Sequence, residues 1–406
     1  MEGLFLSSGT LNPMNIVCFD STDTYSRLLP LTYTRPVADI RVGICSIADK
    51  WRASTGLPVS FLTQEHLRIK YPSELSGDDV FIDGSVIPDA GLVREISNLP
   101  KGKVLTDASG VVACRSDDPD PKSWRGLPTG DVPSVRRIDR LWKIFQFNGE
   151  EIKADFARLT QGRTSAPLED PHTRVYAGER IFLEAGATVR AATINASTGP
   201  VYLAAGSEVQ EGAIIRGPFA LGEASVLAMG AMVRGDTSIG PYSKAGGELN
   251  NVLMLGWSNK GHEGYLGNAV IGEYCNLGAG TFASNLRNDF SAARLWSYAL
   301  QRFEDTGTPF CGPVMGDGCR TAIGTLLNTA TSIGPGANLI GNGFPRAFIP
   351  GFVSGGAQAF KTRTADEVIR SISAQLALKG LVLPEVDKNI WREVFRLTAE
   401  FRTWPA

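Results

Sequence analysis

Histidine is scarce in this chain of 406 residues, which holds three: His66, His172 and His262. A zinc hydratase built on imidazole ligands needs three histidines on one ion, and two of these lie outside the central part of the sequence, so that chemistry is not expected. Cysteine is sparse and scattered. Cys18, Cys45, Cys114, Cys275, Cys311 and Cys319 include no C-x-x-C pair, which argues against a disulfide or zinc framework and for reduced, structural thiols. Runs of lysine and arginine are missing and the formal net charge is −2, which excludes nucleic acid as an expected partner. Also absent is a stretch of eighteen apolar residues, so no membrane-spanning helix is expected. Residues 1–13 lack the positive n-region and long apolar h-region of a signal peptide, and the expected location is cytoplasmic.

The chain does have a period. Leu203, Val209, Ile215, Leu221, Leu227, Val233, Ile239 and Ala245 place an aliphatic or small residue at every sixth position. Six fits neither the 3.6-residue repeat of an α-helix nor the two-residue repeat of an ordinary strand. It fits a solenoid whose coils are triangular prisms with one hexad per side. The spacing also occurs at Leu183 and Val189 in a shifted register, and it resumes at Ile271 and Leu277 and again at Leu327, Ile333 and Leu339. This predicts a left-handed parallel β-helix (hexapeptide repeat) over residues 172–360. That architecture most often houses acyl transfer, although carbonic anhydrases and structural stacks share it. Residues 289–312 break the hexads as an insertion expected to form an active-site wall.

Upstream, the apolar runs at 14–20, 58–63, 78–84 and 103–115 read as strands of a Rossmann-like α/β domain, with helical stretches at 44–51 and 90–96. Val135, Ile138, Leu141, Ile144, Phe145, Ile152, Phe156 and Leu159 form an amphipathic pattern, one or two helices linking this domain (14–160) to the solenoid. After Gly356 the period ends. Thr364 and Glu367 offer a capping box, and helices over 361–406 are expected to cap the open end of the stack.

The segment 260–285, KGHEGYLGNAVIGEYCNLGAGTFASN, resembles the acetyltransferase half of the bifunctional N-acetylglucosamine-1-phosphate uridyltransferase / glucosamine-1-phosphate acetyltransferase family. His262, Tyr265 and Asn285 fall on its motif without a gap. Acetyl transfer to a sugar amine requires an ammonium to lose a proton, and imidazole is suited to accept it near neutrality, which makes His262 the candidate base. The resemblance implies that Glu248, at an acidic position of the motif, orients the imidazole. It also implies that Asn285 and Tyr265 bind the sugar or its phosphate, with Lys260 or Arg234 supplying positive charge. The sequence departs from the motif at Asn250, where a lysine is usual, and at Leu286, where an aromatic residue is usual.

Residues 28–43, LLPLTYTRPVADIRVG, and 79–88, DVFIDGSVIP, resemble the sugar nucleotidyltransferase half of the same family. Nucleotidyl transfer uses a glycine-rich loop whose amides approach phosphates, and a carboxylate that holds Mg²⁺. Here the loop at 19–27, FDSTDTYSR, has no glycine, and Ser85 stands where an aspartate is usual. Asp83 is then the expected metal ligand, and Arg27 and Arg35 the expected nucleotide phosphate ligands. Together these features predict a cytoplasmic transferase that acetylates an amino sugar phosphate or nucleotide sugar from acetyl-CoA, with Arg346 and Lys361 as candidates for the cofactor phosphates. A lateral β-helix surface is usually covered by threefold association, so a homotrimer is expected. The alternatives are nucleotidyl transfer as the main activity, or a non-catalytic protein that binds a nucleotide sugar.

Overall fold

A computed structural model of the chain describes residues 14–403, so the expectation for residues 1–13 falls outside what is described here. The α/β domain is built on a sheet of six strands: β1 (Asn15–Phe19), β2 (Val59–Leu62), β3 (Asp79–Asp83), β4 (Lys103–Asp107), β5 (Gly110–Ser116) and β6 (Thr129–Asp131). Their order is β2-β1-β3-β5-β4-β6, and the β2-β1-β3 half is parallel. Parallel strands need crossovers. These are supplied by segments carrying α1 (Thr22–Arg27) and α2 (Ile47–Thr55), and α3 (Ala90–Ser97) follows β3. The α2 helix starts at a capping box, with Ser46 and Asp49 satisfying each other's backbone amides, and stops at Gly56 in the left-handed region.

The second part is a parallel β-helix. Leu203 pairs with Leu221 and Leu221 with Ile239 along one face. Val209, Leu227 and Ala245 pair along the second, and Ile215, Val233 and Leu249 along the third. Every hexad residue from Leu203 to Ala245 is buried, as are Leu183, Val189, Ile271, Leu277, Leu327, Ile333 and Leu339. Each such aliphatic side chain contributes roughly 1.5–3 kcal/mol by leaving water. One corner of every coil adopts the left-handed backbone conformation. Gly206, Gly318 and Gly336 take it at no steric cost, while Tyr242, Trp257 and Tyr274 hold it with rings stacked coil upon coil.

The stack is regular until Ala245, and then slips. Ile239 pairs with Met254, not with the residue at 257, and Ala245 pairs with Lys260. To close this shortened coil, the third face runs straight into the first as one bent strand, β7 (Glu248–Gly256), and the next coil repeats the device in β8 (Tyr265–Glu273). The bends lie at Asn251 and Asn268, both at positive φ.

One expectation about the surroundings is corrected. The C-terminal helices α5 (Ala365–Ala377) and α6 (Glu385–Leu397) do not close the end of the stack. The α5 helix starts at the expected Thr364–Glu367 capping box and lies lengthwise along the corner, where Gln375 donates to the Trp257 carbonyl at 2.7 Å and Arg320 to that of Ser371 at 2.9 Å. Glycine at 318 and 336 permits this approach, since a Cβ there would meet Trp391 and Val368 at 2.9 Å. The insertion returns beside the candidate site, where the Cys311 amide donates to the Asn285 carbonyl and the Gly312 amide to the Asn268 carbonyl, both at 2.9 Å. It forms an antiparallel hairpin, Arg294–Ser297 with Arg302–Asp305, whose Leu295 joins the core of the α/β domain and whose Trp296 stacks on Phe348.

The two domains are fastened together. The linker is a single helix, α4 (Leu141–Thr160), and it lies against the β-helix, where Asn148 donates to the Asp236 carbonyl at 2.7 Å. Leu253, Leu255 and Val270 of β7 and β8 complete the apolar core of the α/β domain. At the edge of this contact Arg35 reaches Glu273 at 3.1 Å and bonds to Asp317, whose carboxylate also accepts from Thr34 at 2.7 Å. Arg35 is 3% exposed and Asp317 2%, so removing the cation strands a buried carboxylate. We expect Arg35→Ala to destabilise the protein by about 3–5 kcal/mol in chemical denaturation. A loss below about 1 kcal/mol would mean that water replaces the guanidinium.

Candidate functional site

The slipped coil produces the candidate site. Between Lys260 and the start of β8, four residues, Gly261-His262-Glu263-Gly264, turn the corner from the second face to the third. His262 is exposed on this turn. It borders a cleft of about 390 Å³ lined by Lys244, Asn259, Asn276, Gly278, Ala279 and Ile323, among others. Lys244, Asn259 and Asn276 occupy one outward-facing column, since Lys244 pairs with Asn259 and Asn259 with Asn276. The sequence reading missed all three. Their signal was available as the residue immediately before each interior hexad position of that face.

On the other side of the corner, β8 carries Tyr265 and Asn268. Asn285 donates to the Asn268 side-chain oxygen at 2.7 Å. Tyr265 and Asn285 converge over Gly267, where a Cβ would sit 2.3 Å from the Tyr265 hydroxyl and 2.7 Å from Asn285 Nδ2. The two motif residues are therefore brought together, and a glycine is required between them. The histidine turn stands between a cleft on one face and an amide and phenol cluster on the next.

Other expected members of the site have different partners. Lys260 is fully buried in an interior column, and its ammonium donates to backbone carbonyls, so it supplies no charge to a ligand. Glu248 does not orient the imidazole; its Oε1 accepts from Arg234 Nη1 at 2.9 Å, which also neutralises Arg234. That pair is largely exposed and contributes little stability. Arg346 and Lys361 are exposed.

In the α/β domain a cavity of about 730 Å³ opens beyond the carboxyl ends of β1 and β2, where open α/β sheets bind ligands. Asp20, Thr63 and Gln64 line it with Arg68, Lys122 and Arg125. The expected phosphate ligands lie elsewhere. Arg35 is sealed in the interdomain cluster, and Arg27 is held by Asp23 at 2.8 Å with Glu304 at 3.9 Å. Asp83 is buried and does not line the cavity, because Ser85 covers one carboxylate oxygen with its amide at 2.9 Å and its hydroxyl at 2.5 Å, with Arg137 at 3.7 Å. Asp83 is therefore not placed to hold Mg²⁺ at this cavity. Among the described residues no group of three or more histidine, cysteine or acidic side chains stands together to hold a metal.

The carboxylates that do line the cavity are Asp20, Glu65 and Asp120, and Asp20 stands at the end of β1. It accepts from the Val37 amide at 2.9 Å and from the Thr63 hydroxyl at 2.6 Å. Burial nevertheless raises its carboxyl from 3.8 to about 7.

Residues 16–164 match the family described as sugar nucleotidyl transferase. No curated protein matches the chain. Among solved structures, the UDP-N-acetylglucosamine acyltransferase of Francisella novicida aligns at 10% identity and a TM-score of 0.20, over 58% of this chain and 90% of that one. Among the described residues no helix is long and apolar enough to cross a membrane.

Asp20 yields a signed prediction. Its folded pKa lies above its unfolded value, so its contribution to stability is complete below about pH 4 and is lost as pH rises through about 7. Asp20→Asn, which keeps an acceptor for Val37 and a donor for Thr63, should therefore gain on the wild type from pH 4 to 7 and hold a constant margin above that. Thermal melts across that range measure it, and a margin independent of pH would show the carboxyl ionised throughout.

Proposed function

We propose that the β-helix transfers an acetyl group from acetyl-CoA to the amine of an amino sugar phosphate or nucleotide sugar, with His262 as general base. The supporting observation is the position of His262, exposed on a corner turn with a cleft on one side and the Tyr265–Asn268–Asn285 cluster on the other. In this reading the acceptor ammonium first loses one proton to solvent; the imidazole then takes the second as the neutral amine attacks the thioester carbonyl, and the imidazolium returns it to the departing sulfur, which leaves as the thiol. The thioester arm lies in the cleft beside Asn259 and Asn276, with Lys244 near its phosphates. Tyr265 and Asn285 hydrogen-bond the sugar.

The α/β domain binds a phosphorylated sugar or nucleotide in the cavity flanked by Arg68, Lys122 and Arg125. Burial of Asp83 and Arg35 weighs against nucleotidyl transfer as its main activity and favours binding without transfer. The chain acts as a homotrimer joined through the third face of the β-helix, the face that carries Tyr265. That face exposes Ile214, Met232, Phe282 and Leu326, an apolar strip on a surface left uncovered by α5 and the α/β domain.

Labelled acetyl-CoA with a panel of amino sugar phosphates and nucleotide amino sugars tests the reading. His262→Ala should lower kcat by about 10²–10⁴-fold with little change in thermal stability, as expected for loss of a general base at an exposed position. Equal turnover by wild type and variant would sink it. Absence of turnover, with a nucleotide sugar still raising Tm, would favour the binding protein.

A further inference from the structure

The column to which Lys260 belongs runs Val189, Val209, Leu227, Ala245, Lys260, with Leu277 in the next coil. These neighbours are aliphatic side chains inside the prism, and the column goes on through Thr321 to Leu339. An ammonium there is costly unless its hydrogen bonds are made, and they are made to one place. Lys260 Nζ donates to the Gly246 carbonyl at 3.3 Å, to the Glu263 carbonyl at 3.2 Å and, most closely, to the carbonyl of His262 itself. Space for this comes from small residues. Ala245, Gly246 and Gly247 lie in the coil above, and the turn passes so close to them that a Cβ on Gly247 would meet the His262 carbonyl at 2.9 Å and the Gly264 carbonyl at 2.6 Å. On the other side a Cβ on Gly264 would sit 2.0 Å from the Thr281 carbonyl. Without the ammonium the His262 carbonyl would point at the interior of an apolar stack, while the Glu263 carbonyl would keep the Gly280 amide at 3.1 Å.

We infer that Lys260 is a positioning residue: from inside the prism it clamps the backbone of the corner turn and thereby fixes where the His262 ring stands in the cleft. It touches neither substrate nor reacting atoms. Its catalytic consequence rests on the acetyl-transfer reading, whereas the clamp itself does not, and the two are tested apart.

The test uses the full-length chain with Lys260→Met, which keeps the length of the stem and removes the donor, and His262→Ala as control. Hydrogen exchange read peptide by peptide should show protection of the Glu248 and Gly280 amides, which donate to the turn at the Gly264 and Glu263 carbonyls, falling by about tenfold or more in Lys260→Met, while the remaining coils stay protected. Unchanged protection would overturn the clamp. In acetyl transfer, kcat should fall by about tenfold or more with KM for both substrates within about twofold, because a misplaced base costs rate and leaves binding intact. An unchanged kcat would overturn the positioning role. Full activity in His262→Ala would overturn the acetyl-transfer reading and leave the exchange result to decide the clamp.

Should Lys260→Met fail to fold, the unmodified protein still gives an answer. Burial holds the Lys260 ammonium down, at about 8 against 10.5 in the unfolded chain. The charged or titratable groups near it are Glu263 and His262 on its own turn and Lys244 on the neighbouring strand, whose stem lies against Gly261. Any opening of the turn that releases Lys260 takes up a proton between those values. The equilibrium protection of the Glu248 and Gly280 amides, corrected for the intrinsic exchange rate, should therefore rise by about tenfold or more from pH 8 to 10. Protection independent of pH over that interval would mean that the turn opens without Lys260, and would overturn the inference.

Discussion

An interior side chain of a β-helix has only the coils above and below for neighbours, so each coil must present its apolar residue at the same radial position as the last. From Leu203 to Ala245 the chain obeys this with hexads and gains a continuous aliphatic core. When the register slips at the next coil, everything particular to the molecule follows. The third face fuses with the first, Asn251 and Asn268 take up the bend, a lysine is drawn into the aliphatic column, and four residues are thrown outward with His262 among them. The candidate site stands where the repeat is interrupted, as expected if function occupies positions where packing rules are broken and the cost is met by local hydrogen bonds.

The same two coils bind the rest of the protein. The outward side of β7 and β8 presents Leu253, Leu255 and Val270 to the α/β domain, while their other half carries Tyr265 and Asn268. One pair of strands thus serves as domain interface at one end and as site wall at the other. The hairpin insertion and the C-terminal helices fill in around this contact. Tyr298 packs against Tyr33 and Phe348, and Lys70 pairs with Asp387 at 2.6 Å. A cavity in the α/β domain and a cleft in the β-helix therefore share one continuous body.

Much of this was legible in the residues. Hexad positions, the strands of the α/β sheet, the Ser/Thr-initiated helices and the exposed histidine all follow from local rules that act over a few residues. What was illegible depended on distance. Arg35 beside a proline reads equally as a phosphate ligand or a brace, and the choice is made by Asp317, 282 residues further on. Asp20 and Asp83 both end neighbouring parallel strands, and only the packing of Ser85 and Arg137 shows which is sealed and which meets the cavity. Lys260 lay outside every counted hexad because counting stopped at Ala245. A lysine preceding a histidine looks like a ligand until the shortened coil places it inside.

The cluster of Thr34, Arg35, Glu273 and Asp317 also bears on how such a chain can change by recombination. Its cation and hydroxyl come from the α/β half and its carboxylates from the β-helix, and all but Glu273 are close to dry. A β-helix grafted onto a different partner domain would carry an unmatched acid in its wall, and an α/β domain moved elsewhere would carry an unmatched base. The halves are readable as separate modules, yet neither is portable without the other's side of that seam.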